Sequence, residues 1–266
     1  MRRSTYFWGT ILVLVGLLLM LDNLDLLPVK MWDILWPVLL GLLGIWILVG
    51  SFTSRRLLET EHQVIPLEGA TRVNVRLNHG AGRLHLRPGA SPGDLAEGDF
   101  VGGLELRSQR MGDTLDAEMS VPARNFPAAP WFSGRRSLDW SLEMSREVPL
   151  RLEIRTGANE AELDLTGMQV TELHLSTGAS STRLLLPDSA GHTRARVEAG
   201  AASVSIRIPP NVGARIHSQG GLASISVDTA RFERLSSGLY QSPDYDSAVN
   251  KIDLEVQAGV GAVDIR

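Results

Sequence analysis

A glycine-centred dipeptide returns about every twenty residues in the second half of this chain, each time between two stretches of alternating apolar residues. Leu152-Glu-Ile154-Arg-Thr leads through Gly157-Ala158 to Ala161-Glu-Leu163. Leu173-His-Leu175-Ser-Thr leads through Gly178-Ala179 to Thr182-Arg-Leu184, and Ala195-Arg-Val197-Glu-Ala through Gly200-Ala201 to Val204-Ser-Ile206. Ala214-Arg-Ile216 passes Gly220-Gly221 to reach Ala223-Ser-Ile225, and Leu254-Glu-Val256-Gln-Ala passes Gly259-Val260 to reach Val263-Asp-Ile265. An outlying early copy runs from Val75-Arg-Leu77 through Gly80-Ala81 to Leu84-His-Leu86.

Spacing of two is the period of a strand with one buried face. Anchors placed at Leu77, Ile154, Leu175, Val197, Ile216 and Val256 have small or apolar residues two before, and seven and nine after, with Thr182 the polar exception. From Ile154 the anchors are 21, 22 and 19 residues apart. One such unit cannot cover its own apolar face, but a stack of them encloses a continuous core. The repeat therefore predicts an all-β domain of stacked rungs, a β-solenoid, with Leu163, Leu184, Ile206, Ile225 and Ile265 joining the anchors inside. The glycines are expected at corners that need backbone freedom. A β-sandwich of hairpins is the alternative, because Gly-containing turns also join antiparallel strands. Asp228–Asn250 breaks the period and reads as a cap; the closing strand Ala262–Arg266 is expected near a sheet edge.

Residues 88–149 form an irregular insertion without the clean repeat. Leu104–Leu106 and Leu115–Val121 read as a strand pair around Arg110-Met-Gly-Asp, and Leu138–Met144 as a further strand. Between them, Asn125–Gly134 reads as loop. Its Phe126, Trp131 and Phe132 are the candidate partner contact, although loop aromatics also commonly tuck against their own domain.

The N-terminal residues differ in kind. Two apolar runs, about residues 6–24 and 34–52, approach the ~20 residues a helix needs to cross a bilayer. Trp8, Trp32 and Trp36 lie near their ends, where amphipathic rings favour the membrane interface. The reading is a transmembrane hairpin over residues 1–55, a linker over 56–66 and a β-repeat domain over 67–266. A signal peptide competes for the first run, but no small-x-small cleavage site follows Leu21. Arg2, Arg3, Arg55 and Arg56 flank the runs, while the connection carries Lys30 and three aspartates. The excess of positive charge predicts both termini inside and a cytoplasmic β-domain at the inner membrane.

Charge excludes some functions. From Glu59 onward there are 21 basic and 27 acidic residues, a net charge of −6. That balance disfavours nucleic acid and anionic lipid as partners. There is no cysteine, hence no disulfide or thiol chemistry. His62, His79, His85, His174, His192 and His217 follow no metal-binding spacing, and no nucleophile elbow occurs. Gly80-Ala-Gly and Gly259-Val-Gly open strands, not helices, so neither is a phosphate loop. No enzyme, metal or cofactor is expected.

Two segments resemble one family. Trp8–Leu24, with Leu35-Trp36-Pro37-Val-Leu-Leu-Gly-Leu-Leu-Gly44, is similar to the transmembrane region of LiaF-like proteins. Trp140–Ala158 resembles the related toast-rack, adhesin-like β-repeat domains. The resemblance implies a bacterial, non-enzymatic, membrane-anchored regulator or interaction protein of the cell envelope. Its implied partner is a membrane sensor histidine kinase of the envelope-stress response. LiaF is expected to carry more helices than the single hairpin here. The alternative is a self-associating, adhesin-like scaffold.

Overall fold

The computed structural model describes residues 36–37, 40–41, 60–122 and 138–266. Residues 36–37 and 40–41 are helical, and Trp36 is 59% exposed. The expected helical hairpin, with Trp8 and Trp32, otherwise falls outside the described residues. Among those described, no helix is long and apolar enough to cross a membrane.

The rest is built from strands: β1 (Thr60–Pro66), β2 (Arg72–Pro88), β3 (Asp94–Val101), β4 (Glu105–Met111) and β5 (Thr114–Ser120). There follow β6 (Trp140–Met144), β7 (Leu150–Asp164), β8 (Val170–Thr177), β9 (Ser181–Leu185) and β10 (His192–Arg207). The chain ends with β11 (Gly213–Gly220), β12 (Ser224–Val227), β13 (Glu233–Ser236), β14 (Leu239–Gln241) and β15 (Lys251–Ile265).

Each repeat forms one rung with two arms. In β7 the arm Leu150–Thr156 pairs in parallel with β8, and the arm Glu160–Asp164 pairs in parallel with β9. Between Asp164 and Val170 a short return brings the chain back to start the next rung. Neighbouring rungs stand about 4.8 Å apart, the spacing of a backbone ladder. First arms make one layer, in the order β4-β5-β2-β7-β8-β10-β15-β11-β14-β13. Second arms make the other, in the order β1-β3-β6-β2-β7-β9-β10-β15-β12. The inner faces share one core, which includes Leu77, Leu84, Ile154, Leu163, Leu175, Leu184, Val197, Ile206, Val256 and Ile265. A fully buried Leu, Ile or Val contributes about 1.5–3 kcal/mol each, so this double column dominates stability.

The rungs do not follow chain order. β15 lies between β10 and β11, so the closing strand is interior and not at an edge. At the other end β2 lies between β5/β6 and β7, although β5 and β6 come later in the chain.

Register corrects one anchor. Leu77, Ile154, Leu175, Val197 and Val256 form one ladder column. Ile216 pairs with Leu254, and it is Ser218 that stands opposite Val256. Ile216 is still buried, because a shift of two residues keeps the same face. The true interval from Val197 to Ser218 is 21 residues, and Gly221 then falls three after the anchor, as Gly157, Gly178 and Gly200 do. The polar side chain of Ser218 hid the match.

The irregular insertion also contains a rung. Met119 pairs with Leu77, Trp140 with Leu84 and Leu142 with Leu86. β5 and β6 are therefore two arms of the same kind, separated in sequence by residues 121–139. The supposed linker is partly strand as well: Thr60–Pro66 pairs antiparallel with β3. The cap contributes β13 and β14 to the first layer and buries Phe232 and Tyr245, while Leu235 remains 52% exposed.

Candidate interaction surface

The corner glycines form a spine. A Cβ on Gly157 would sit 2.2 Å from the carbonyl oxygen of Gly80. On Gly178 it would meet Gly157 O at 3.0 Å, on Gly200 Gly178 O at 3.0 Å, and on Gly259 Gly200 O at 2.9 Å. These glycines do not have positive φ. They are needed because successive corners approach too closely for a side chain, not because the turn demands backbone freedom. Gly82 and Gly261 are different, with φ of 108° and 117°.

Behind the spine the first rungs bury polar side chains. His79 is 1% exposed and donates from Nε2 to Leu138 O at 2.8 Å. A carbonyl can only accept, so this bond fixes Nδ1 as the ring's acceptor. The ring packs on Trp140 at 5.2 Å, and Trp140 meets Phe100 edge-on at 5.0 Å. Burial, outweighing the bond to Leu138 and the charge of Asp139, holds the His79 pKa below its ordinary value. His79 thus pins Leu138, where the long corner re-enters β6. Phe126, Trp131 and Phe132 lie outside the described residues.

The outer face of the first layer is a lattice of ion pairs. Arg151 meets Glu172 at 2.7 Å, His174 meets Glu198 at 3.4 Å and Arg196 meets Glu255 at 2.8 Å. Near the cap, Asp253 accepts from Tyr245 Oη at 2.5 Å and pairs with His192 Nε2 at 2.8 Å. The Arg215 guanidinium lies 4.4 Å from the Tyr245 ring centroid. Burial, together with the bond to Asp253, pushes the Tyr245 pKa up to about 12. Burial opposes ionisation of Asp253, but the bonds from Tyr245 and His192 prevail and hold its pKa below the ordinary range. These exposed pairs favour solubility and fix register more than they stabilise.

Among the described residues, no group of three or more His, Asp or Glu is arranged to hold a metal ion. His79 and His85 are separated by burial: the first is interior, while the second is half-exposed and faces Glu162 at 3.3 Å. The surface has the means to bind a partner, through charge, exposed apolar groups and open strand edges. Sequence reasoning missed the open edges, because they follow from strand order and not from local pattern.

Comparison with known proteins agrees with this architecture. Residues 54–207 match the model of the N-terminal domain of toast_rack, and residues 6–48 match that of the LiaI-LiaF-like transmembrane region. No curated protein matches the chain. A crystal structure of a Clostridium sporogenes ATCC 15579 protein assigned to cell adhesion is 19% identical, with a TM-score of 0.70 over 78% of this chain and 98% of that one. A Bacteroides fragilis NCTC 9343 protein assigned as an adhesin is 7% identical over 78% of this chain and 97% of that one, with a TM-score of only 0.29. The first likeness establishes the fold alone. With the stacked rungs and the match over more than half its length, the chain belongs to the toast-rack family and carries a LiaI-LiaF-like membrane region at its N-terminus.

Proposed function

We propose that this protein is a non-enzymatic regulator of the bacterial cell envelope that acts on a membrane sensor histidine kinase. One observation carries the reading: a LiaI-LiaF-like transmembrane region and a toast-rack domain occur on one chain. The transmembrane-region match supports a membrane anchor, and the β-domain supplies a binding surface on the same chain. The matched families are not catalytic, and the outer face of ion pairs and edges suits binding.

The anchor is proposed as one helical hairpin, residues 6–24 and 34–52, with both termini and the β-domain cytoplasmic. Support comes from the arginines at positions 2, 3, 55 and 56 against the aspartate-rich connection. The chain has no cysteine, so Ser247→Cys introduces a single reporter thiol. In intact cells a membrane-impermeant maleimide should leave it unlabelled until the membrane is opened. Labelling in intact cells would place the domain outside.

The partner contact is proposed at Phe126, Trp131 and Phe132, in the sequence between β5 and β6. Affinity capture of the full chain from membranes should recover a sensor kinase in near-stoichiometric yield, and Trp131→Ala should reduce that yield at least tenfold. Recovery of the chain alone would reject the regulatory reading.

A further inference from the structure

The two layers end unevenly at the C-terminal end of the stack. Beyond the rung β11/β12, the first layer continues through β14 and β13, while the second stops at β12. The step is two strands wide, about 10 Å. Its consequences are visible in exposure. All four residues of β13 are exposed, because no second layer faces them. Ile225 and Val227 point inward yet are only partly buried. Leu235 is 52% exposed.

β12 is also an unguarded edge. The other terminal strands carry charges: Glu61 on β1, Arg107 and Arg110 on β4, Glu233 and Arg234 on β13. β12 is Ser-Ile-Ser-Val, with neither charge nor proline. Such an edge is a template for another strand. Its polarity can be assigned. Asp228 N–H donates to Ile265 O on β15 at 2.9 Å. Alternation along the strand then aims the amides of Ser224 and Ser226 at β15, and those of Ile225 and Val227 into the open edge.

We infer that this end takes a second copy of the chain, with β13 of each copy pairing against β12 of the other. The step is its own complement. Rotation by a half-turn about an axis along the strands brings the long layer of one copy against the short layer of the other, twice. β13 runs in the direction of β11, through two antiparallel pairings. β12 returns from the corner in the opposite sense, so β13 and the second copy's β12 meet antiparallel. Across the strand pair Glu233, on the outer face opposite Gln241, and Arg234, on the inner face opposite Tyr240, meet a strand without charge. The contact covers Ile225, Val227 and Leu235. A shared bilayer raises the effective concentration of two tethered copies.

The test uses the full chain in lipid nanodiscs, in which the absence of native cysteine leaves only introduced thiols. Ser226→Cys chains and Glu233→Cys chains, which carry their thiols on the outer face of the sheet, are oxidised separately and as a mixture. Disulfide-linked dimers should form mainly between unlike chains, at least tenfold above either variant alone. Adding Val227→Pro removes an outward donor while leaving the bonds to β15, and should abolish the unlike-chain link with unchanged circular dichroism. Ile225→Lys, which points a charge inward from the edge strand, should convert dimer to monomer by mass photometry and covers the case in which the proline variant misfolds. A monomer at all concentrations, links no commoner between unlike than like chains, or a dimer that survives Ile225→Lys would each overturn the inference. None of these outcomes depends on capturing a kinase.

Discussion

Val256 stands between Val197 on one side and Ser218 on the other, in register with both, although Ser218 precedes it in the chain. β15 is thus the strand through which the last rung, β11/β12, joins the stack. No ladder links β10 directly to β11. Truncation after Asn250 should therefore free Gly213–Gln241 while leaving β7 to β9 intact. Amide hydrogen exchange should show protection lost across β11 to β14 but retained at Leu152–Ile154 and Leu173–Leu175. Retained protection at Ala214–Ser218 would mean that β11 can close directly onto β10.

The glycine spine predicts an ordered series of costs. At Gly157 an added Cβ meets backbone at 2.2 Å, and at Gly178 at 3.0 Å. Backbone cannot move aside as a flexible side chain can. Gly157→Ala should lower unfolding free energy by about 3 kcal/mol or prevent folding, and Gly178→Ala should cost about 1–2 kcal/mol. Urea titration of the two variants gives the comparison. Equal stability of Gly157→Ala and the parent would refute the contact.

How much of this was legible in the sequence depended on whether chemistry or strand order was in question. Alternation and period placed Ile154, Leu163, Leu175, Leu184, Val197 and Ile206 in the core, because burial acts locally on side chains of period two. The same reasoning misplaced the Ile216 anchor. Ser218 occupies the inner column as a polar residue, and the search rewarded apolarity. It also read residues 88–149 as irregular, because a long corner between Met119 and Trp140 destroys the spacing while sparing both arms. Strand exchange at both ends was not legible, since a parallel neighbour can be any rung with a matching face. The open edge of β12 follows from that order and was missed for the same reason. The candidate contact at Phe126, Trp131 and Phe132 lies outside the described residues.

His79 links acidity to the first rungs. Its folded pKa lies below the ordinary value of 6.5, so the unfolded chain binds a proton more readily. Its contribution to stability is present above pH 6.5 and lost as pH falls through the lower folded value. Denaturant midpoints should decline between pH 7 and pH 5. His79→Gln keeps a donor for Leu138 O but does not titrate, and should flatten that decline. A slope unchanged in the variant would assign the dependence elsewhere.

Tyr245 ties the cap to β15 through Asp253, and its two partners titrate at opposite ends of the pH scale. The Tyr245 pKa is raised to about 12, so its share of stability is full below pH 10 and disappears as pH rises through 12. The Asp253 pKa is depressed, so its share is present above the ordinary carboxylate value and lost on acidification. Tyr245→Phe keeps the ring under Arg215 and removes the hydroxyl that donates to Asp253. The loss should be about 1–2 kcal/mol, as expected for a bond to a charged acceptor that is only partly buried. In a carbon-detected titration the Asp253 carboxyl should move upward, toward its ordinary value, because only His192 and the charge of Arg215 remain to hold it. An Asp253 titration unmoved by Tyr245→Phe would show that His192 and Arg215 account for the depression, and that the cap is held by packing of Phe232 and the Tyr245 ring instead.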